Sequence, residues 1–202
     1  MNNYVQFPRY AIFLIPDEQF KSQVEKFYRE SKVSFEDSLI NVYGVHLTIK
    51  APFYLSHLYS EKDLIGEFEK LKLKNIFDLS LIHNISSISK FRNNFVANIS
   101  FTEDLLFNFN DTMRFFDLYR KTLNSNEVLK DISRFGDLNE KQMNYYQIWG
   151  YPFMFDEGKP HISIIDINLG FEPKHNDFNQ VRFERVSLVK QDGYLERFKT
   201  LI

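Results

Sequence analysis

Two tetrads of the form His-apolar-hydroxyl-apolar, His46-Leu47-Thr48-Ile49 and His161-Ile162-Ser163-Ile164, lie 115 residues apart and constrain this chain more than any other feature. Alternation of polar and apolar residues marks a β-strand, in which residues i and i+2 share a face. Each tetrad therefore sets an imidazole beside a hydroxyl on one face and sends its aliphatic side chains into the layer behind. With 44% apolar residues and 20 Ser and Thr in 202, one histidine meets the pattern with probability ~0.02, so two of five do so about once in three hundred by composition alone. His57, His83 and His175 lack the pattern and read as surface or loop residues.

The segments around the tetrads alternate between strand and helix signals. Arg9–Ile15 is an aromatic and β-branched run closed by Pro16, a strand. Asp17 offers an N-cap to an amphipathic helix carrying Phe20, Val24, Phe27 and Tyr28 and running to about Glu30. Val45–Leu55 reads as a strand that Pro52 bends or ends, and Ser60-Glu61-Lys62-Asp63 as a capping box before a second helix. Strands are expected over Phe77–Ile88 and Asn94–Phe101. Thr102 should cap a long helix in which Phe107, Phe109, Phe115 and Phe116 pack. Residues 124–138 read as a connecting excursion, and Asn139–Gly150 as a helix stopped by its glycine. Strands over His161–Ile167, Phe178–Val189 and Tyr194–Leu201 complete an α+β reading with about seven strands and four helices. No Gly/Ser linker divides the chain, so one domain over 1–202 is expected.

Composition removes several classes. The absence of Cys excludes disulfide frameworks, thiolate-bound zinc, iron–sulfur sites and a cysteine nucleophile. A net charge of −2 argues against gripping long duplex nucleic acid, and Arg92, Arg114, Arg120, Arg134, Arg182 and Arg185 are too scattered in sequence to suggest a phosphate track. The opening MNNYVQFPRYAIFLIPDEQF does not read as a secretory signal, and no apolar run approaches the roughly 18 residues of a membrane span, so a cytoplasmic protein without a membrane partner is expected.

Two imidazoles facing across a cleft can serve as general base and general acid, because an ordinary pKa of about 6.5 allows either form near neutrality. Hydroxyls beside them can donate to the non-bridging oxygens of a phosphoryl group. If both rings flank one phosphate, their nearest nitrogens should lie about 5–8 Å apart. The alternatives are histidines that merely satisfy strand-end hydrogen bonds, or a two-His metal site. Zinc normally takes three or four protein ligands, and Asp166, at i+5 from His161, should face the other side of the strand.

Two His-x-Thr/Ser tetrads half a domain apart resemble the 2H phosphoesterase superfamily. Tyr43-Gly44-Val45-His46-Leu47-Thr48-Ile49-Lys50-Ala51-Pro52-Phe53 is similar to the first motif of its branch associated with phosphonate-utilisation operons. Trp149-Gly150-Tyr151-Pro152-Phe153-Met154-Phe155-Asp156-Glu157 followed by Pro160-His161-Ile162-Ser163 is similar to the second, and Arg9-Tyr10-Ala11-Ile12 also fits. The sequence departs from that branch at Val45, Leu47 and Lys159. The resemblance implies a bilobal fold, two pseudo-symmetric lobes of antiparallel sheet with flanking helices around a central cleft. It also implies metal-independent hydrolysis of a cyclic or 2′-linked phosphodiester of a nucleotide, RNA end or phosphorylated sugar. His46 and His161 would be the acid–base pair, Thr48 and Ser163 the phosphate donors, with no cofactor. Lys50, at i+4 from His46, is a candidate second phosphate ligand, and Tyr10, Tyr43 and Tyr151 are candidates to line the cleft or stack on a base. The alternative function is a module of the same fold that binds a nucleotide or RNA end without cleaving it.

Overall fold

The computed structural model describes residues 8–193 and 195–202. Seven strands form one antiparallel sheet: β1 (Arg9–Pro16), β2 (Leu47–Phe53), β3 (Ile82–Phe91), β4 (Asn94–Ile99), β5 (His161–Asp166), β6 (Gln180–Gln191) and β7 (Lys199–Thr200). Their order is β1-β2-β5-β4-β3-β6-β7, and a further β1–β6 pairing leads the succession of strands back to its start. β2 and β5, the two strands that carry the tetrads, lie side by side, with Leu47 opposite Ile162.

Six α-helices flank the sheet: α1 (Glu18–Glu30), α2 (Leu39–Tyr43), α3 (Glu61–Leu73), α4 (Glu103–Asp117), α5 (Ser125–Ile132) and α6 (Glu140–Trp149). Their starts follow local chemistry. Asp17 accepts from the Phe20 amide at 3.0 Å. Ser60 and Asp63 close a capping box, Thr102 caps α4, and Asn139 with Gln142 caps α6. Each such cap satisfies amides that the first helical turn leaves without partners and is worth about 1 kcal/mol.

The main core lies on one side of the sheet. Ile12, Leu14, Leu47, Ile49, Ile162 and Ile164 meet Phe20 and Val24 of α1, Leu64 and Phe68 of α3, and Phe109 and Phe116 of α4. Full burial of each large aliphatic or aromatic side chain contributes about 1.5–3 kcal/mol. The other side carries a much smaller apolar cluster, Ala11, Phe13 and Val189 with Ile15 and Phe198 against it. That imbalance leaves the face bearing the histidines and hydroxyls open to a ligand.

The expected α+β class holds, with differences in detail. The excursion over residues 124–138 contains α5, whose Asn124–Glu127 capping box is legible in sequence but none of whose residues is fully buried. α2 is a five-residue turn of helix begun by Ser38. The strand expected from Phe77 starts at Ile82, while Phe77 itself drops into the core. On α4, Phe109 and Phe116 pack as expected, but Phe107 (64% exposed) and Phe115 (40%) point away from the face formed by Leu105, Phe109, Met113 and Phe116. His83 is buried against Phe101 and Phe183, not at the surface, and burial lowers its pKa. The final strand shrinks to β7 on β6, and the expectation for Tyr194 lies outside the described residues, as does that for residues 1–7. Among the described residues, no helix is long and apolar enough to cross a membrane.

Candidate active site

The β2–β5 register builds the site. With Leu47 opposite Ile162, the next residues outward place His46 against Ser163 and Thr48 against His161. Leu47 and Ile162 are fully buried in the core behind, so all four polar side chains share the opposite face of the sheet, each half-buried. The two histidines lie diagonally across the strand pair, a placement that separates backbone positions by about 7–8 Å.

Each imidazole is tethered in the same way. Nδ1 of His46 lies 2.7 Å from the carbonyl oxygen of Gly44, and Nδ1 of His161 lies 2.7 Å from that of Lys159. A carbonyl only accepts, so Nδ1 carries the proton in both rings and Nε2 keeps its lone pair. Neither Nε2, nor the hydroxyl of Thr48 or Ser163, has a hydrogen-bond partner among the described residues. Gly44 makes the first tether possible. It ends α2 at φ +80°, a conformation that favours glycine, and turns its carbonyl back toward the ring two residues on.

Aromatic rings fix the planes. Phe13 of β1 stacks on His46 with centroids 3.7 Å apart and 17° between planes, and Phe91 of β3 leans on His161 at 4.6 Å. Desolvation in this concave setting pushes the His46 pKa down to about 4, assisted by repulsion from His161 and opposed by the Gly44 hydrogen bond. His161 is lowered by the same desolvation, against its bond to Lys159. Both rings are therefore neutral at pH 7 in the free protein, and a bound anion would raise their proton affinity. Two groups that repel in this way titrate as a pair.

The remaining candidates divide. Tyr151 joins the site: with Thr48, His161 and Phe153 it lines a cavity of ≈ 60 Å³. Tyr43 stands behind the His46 side, its ring 6.0 Å from Phe198, which packs in turn on Phe13. Tyr10 does not reach the cleft; it points into the main core from the other face of β1, and its hydroxyl donates to Glu61 at 2.7 Å. Lys50 also leaves the expected face. Leu14 pairs with Leu47 but Ile12 pairs with Lys50, so β2 holds one extra residue between the two pairs. A bulge of this kind turns later side chains to the opposite side. Lys50 is thus buried and ion-paired with Asp117 at the end of α4 (2.5 Å), which Arg120 also engages at 2.8 Å. Burial and the Arg120 charge outweigh Asp117 and lower the Lys50 pKa to about 8.

Residues outside the tetrads that shape the cleft include Phe13, Phe91 and Asn98. Asn98 lies opposite His161 on β4 and donates to the hydroxyls of Ser87 (3.0 Å) and Ser89 (2.9 Å). Alternation alone marks Phe13 as sharing a face with Ala11 and Ile15, but no local signal connects it to His46, 33 positions away. The arginines that looked scattered are partly gathered: an Arg92 Nη2 donates to the Arg134 carbonyl at 2.5 Å beside the same cleft.

Fold and site together define an antiparallel α+β protein with two equivalently tethered His-x-Thr/Ser strands side by side in one sheet. The chain belongs to the DUF1045 family, described as a protein family of unknown function, whose profile matches residues 48–168. That stretch includes Thr48, His161 and Ser163. A comparison with curated proteins finds no match.

Proposed function

We propose that this protein is a metal-independent phosphodiesterase of the 2H type, acting on a cyclic or 2′-linked phosphodiester of a nucleotide, RNA end or phosphorylated sugar. The observation that carries the reading is the duplicated device: two imidazoles, each tethered through Nδ1 to a backbone carbonyl two residues upstream, with Nε2 available on the face shared by two unpartnered hydroxyls.

In this reading Thr48 and Ser163 donate to the non-bridging oxygens. One imidazole takes a proton from the attacking water as the new P–O bond forms. The other, protonated on substrate binding, passes its proton to the leaving oxygen as the opposite P–O bond breaks. Each step moves one proton, so the pair ends the cycle with the same total charge. The strand order supports a pseudo-symmetric, bilobal description with its axis between β2 and β5, since β1 follows β2 on one side as β4 follows β5 on the other.

The test is a panel of 2′,3′-cyclic nucleotides, 2′,5′-linked oligomers, cyclic dinucleotides and ribose 1,2-cyclic phosphate, incubated in EDTA with products read by phosphorus NMR. Hydrolysis of at least one member, abolished in His46→Ala and His161→Ala, is the expected result. Activity that requires a metal, or that survives in either variant, overturns the proposal. A ligand recovered uncleaved after long incubation favours the binding module instead.

A further inference from the structure

Two arginines stand together beyond the aromatic rings that flank His161. Arg92, at the β3–β4 hairpin, lies over the rings of Phe135 (5.3 Å) and Phe153 (6.0 Å), and Arg134 lies over Phe135 (4.3 Å). Phe153 touches Phe91, the ring that leans on His161, at 5.1 Å. Tyr151 packs on both Phe135 and Phe153 and lines the cavity beside Thr48 and His161. Two rings, Phe153 and Phe91, thus link Arg92 to His161, and Phe135 adds a third on the path to Arg134.

Three further facts mark this cluster. Arg92, exposed at the hairpin, adopts φ +53°, a left-handed backbone that costs a non-glycine residue energy. It has no ion pair among the described residues, while Arg134 is held by Asp131 at 3.0 Å, and Tyr146 donates to that carboxylate at 3.0 Å. Arg9, on the Phe13 side of β1, lies near enough to Arg134 for the two charges to repel, as do Arg92 and Arg134. Like charges gathered together in a protein whose net charge is −2 are stabilised when an anion arrives, and planar guanidinium forks match phosphate oxygens in pairs.

We infer that Arg92 and Arg134 form a second anion subsite, and that the substrate carries a further phosphoryl group besides the diester at His46 and His161. This rests on reading the cleft as a phosphodiesterase site. Asp131 is a positioning residue, fixing Arg134 without touching the ligand.

Inorganic pyrophosphate titrated calorimetrically into the full chain tests the subsite without needing turnover. Arg92→Gln and Arg134→Gln should each weaken binding at least tenfold, with unchanged circular dichroism, while the double variant His46→Ala/His161→Ala should change it less than threefold. Absence of binding to the unaltered protein, equal binding by the Arg92→Gln variant, or loss confined to the histidine variant overturns the inference. The two readings fail separately. Arginine-dependent pyrophosphate binding by a protein inert toward every diester keeps the subsite and removes the reaction. Diester hydrolysis without pyrophosphate binding does the reverse.

Discussion

At the scale of single residues, protonation of the His46–His161 pair governs the behaviour to be expected. Burial holds both imidazoles below the usual histidine range, His46 at about 4, so at pH 7 the pair lacks the proton that the proposed general acid would deliver. In the proposed mechanism the productive free form is singly protonated, and it becomes scarcer as pH rises. We expect kcat/KM to fall roughly tenfold per pH unit above pH 6.5, measured on whichever diester the panel identifies. His46→Ala and His161→Ala should each reduce kcat at least about a hundredfold, the low end for loss of an acid or base. Stability carries the same signature. Between about pH 6.5 and 4 the unfolded chain binds a proton at position 46 that the folded chain refuses, so stability is full above 6.5 and falls as pH drops through that window. Thermal melts of the unaltered protein and of His46→Gln should therefore diverge at pH 7 and 4.5, with the variant losing less. Parallel melting shifts in both would contradict the assignment.

At the scale of elements, the junction of β2, α4 and the end of α6 supports the site from behind. Asp117 holds Lys50 and Arg120, and Arg120 donates onward to the Ile148 carbonyl at 2.8 Å. Removing the carboxylate leaves a buried ammonium without its partner, and breaking such pairs costs about 3–5 kcal/mol. Urea denaturation of Asp117→Ala should show a loss in that range, and adding Lys50→Met should recover part of it; strictly additive losses would mean the pair is not coupled. Gly150 closes α6 at φ +71°, where an added Cβ would lie 2.8 Å from the Arg120 side chain. Gly150→Ala should cost roughly 1 kcal/mol or more, read as a lowered Tm. What local patterns could reveal here was uneven. Capping boxes and alternation reported α1, α3, α4, α6 and both histidine strands, because those signals depend on neighbours a few residues apart. α5 carried a capping box but buries no residue fully, and the β2 bulge that buries Lys50 depends on pairing with β1, far upstream.

At the scale of the whole molecule, the β1–β6 ladder runs without interruption from Arg9 opposite Gln191 to Ile15 opposite Arg185, joining the two ends of the chain. Hydrogen exchange should find the amides of Ala11–Leu14 and Val186–Leu188 protected to the global limit, and those of α5 exchanging by local opening. Rapid exchange along β1 would show that this ladder does not hold the fold together. The alternation of His46-Leu47-Thr48-Ile49 and His161-Ile162-Ser163-Ile164 by itself determined that imidazole and hydroxyl share a face on each strand, since a period of two is written into adjacent residues. That these strands are neighbours, that Phe13 and Phe91 fix their rings, that Lys50 and Tyr10 turn into the core, and that Arg92 meets Arg134 were decided only by tertiary structure. Register and pairing between segments up to 115 residues apart arise from the packing of the whole chain, and one inserted residue is enough to reverse the face a side chain takes.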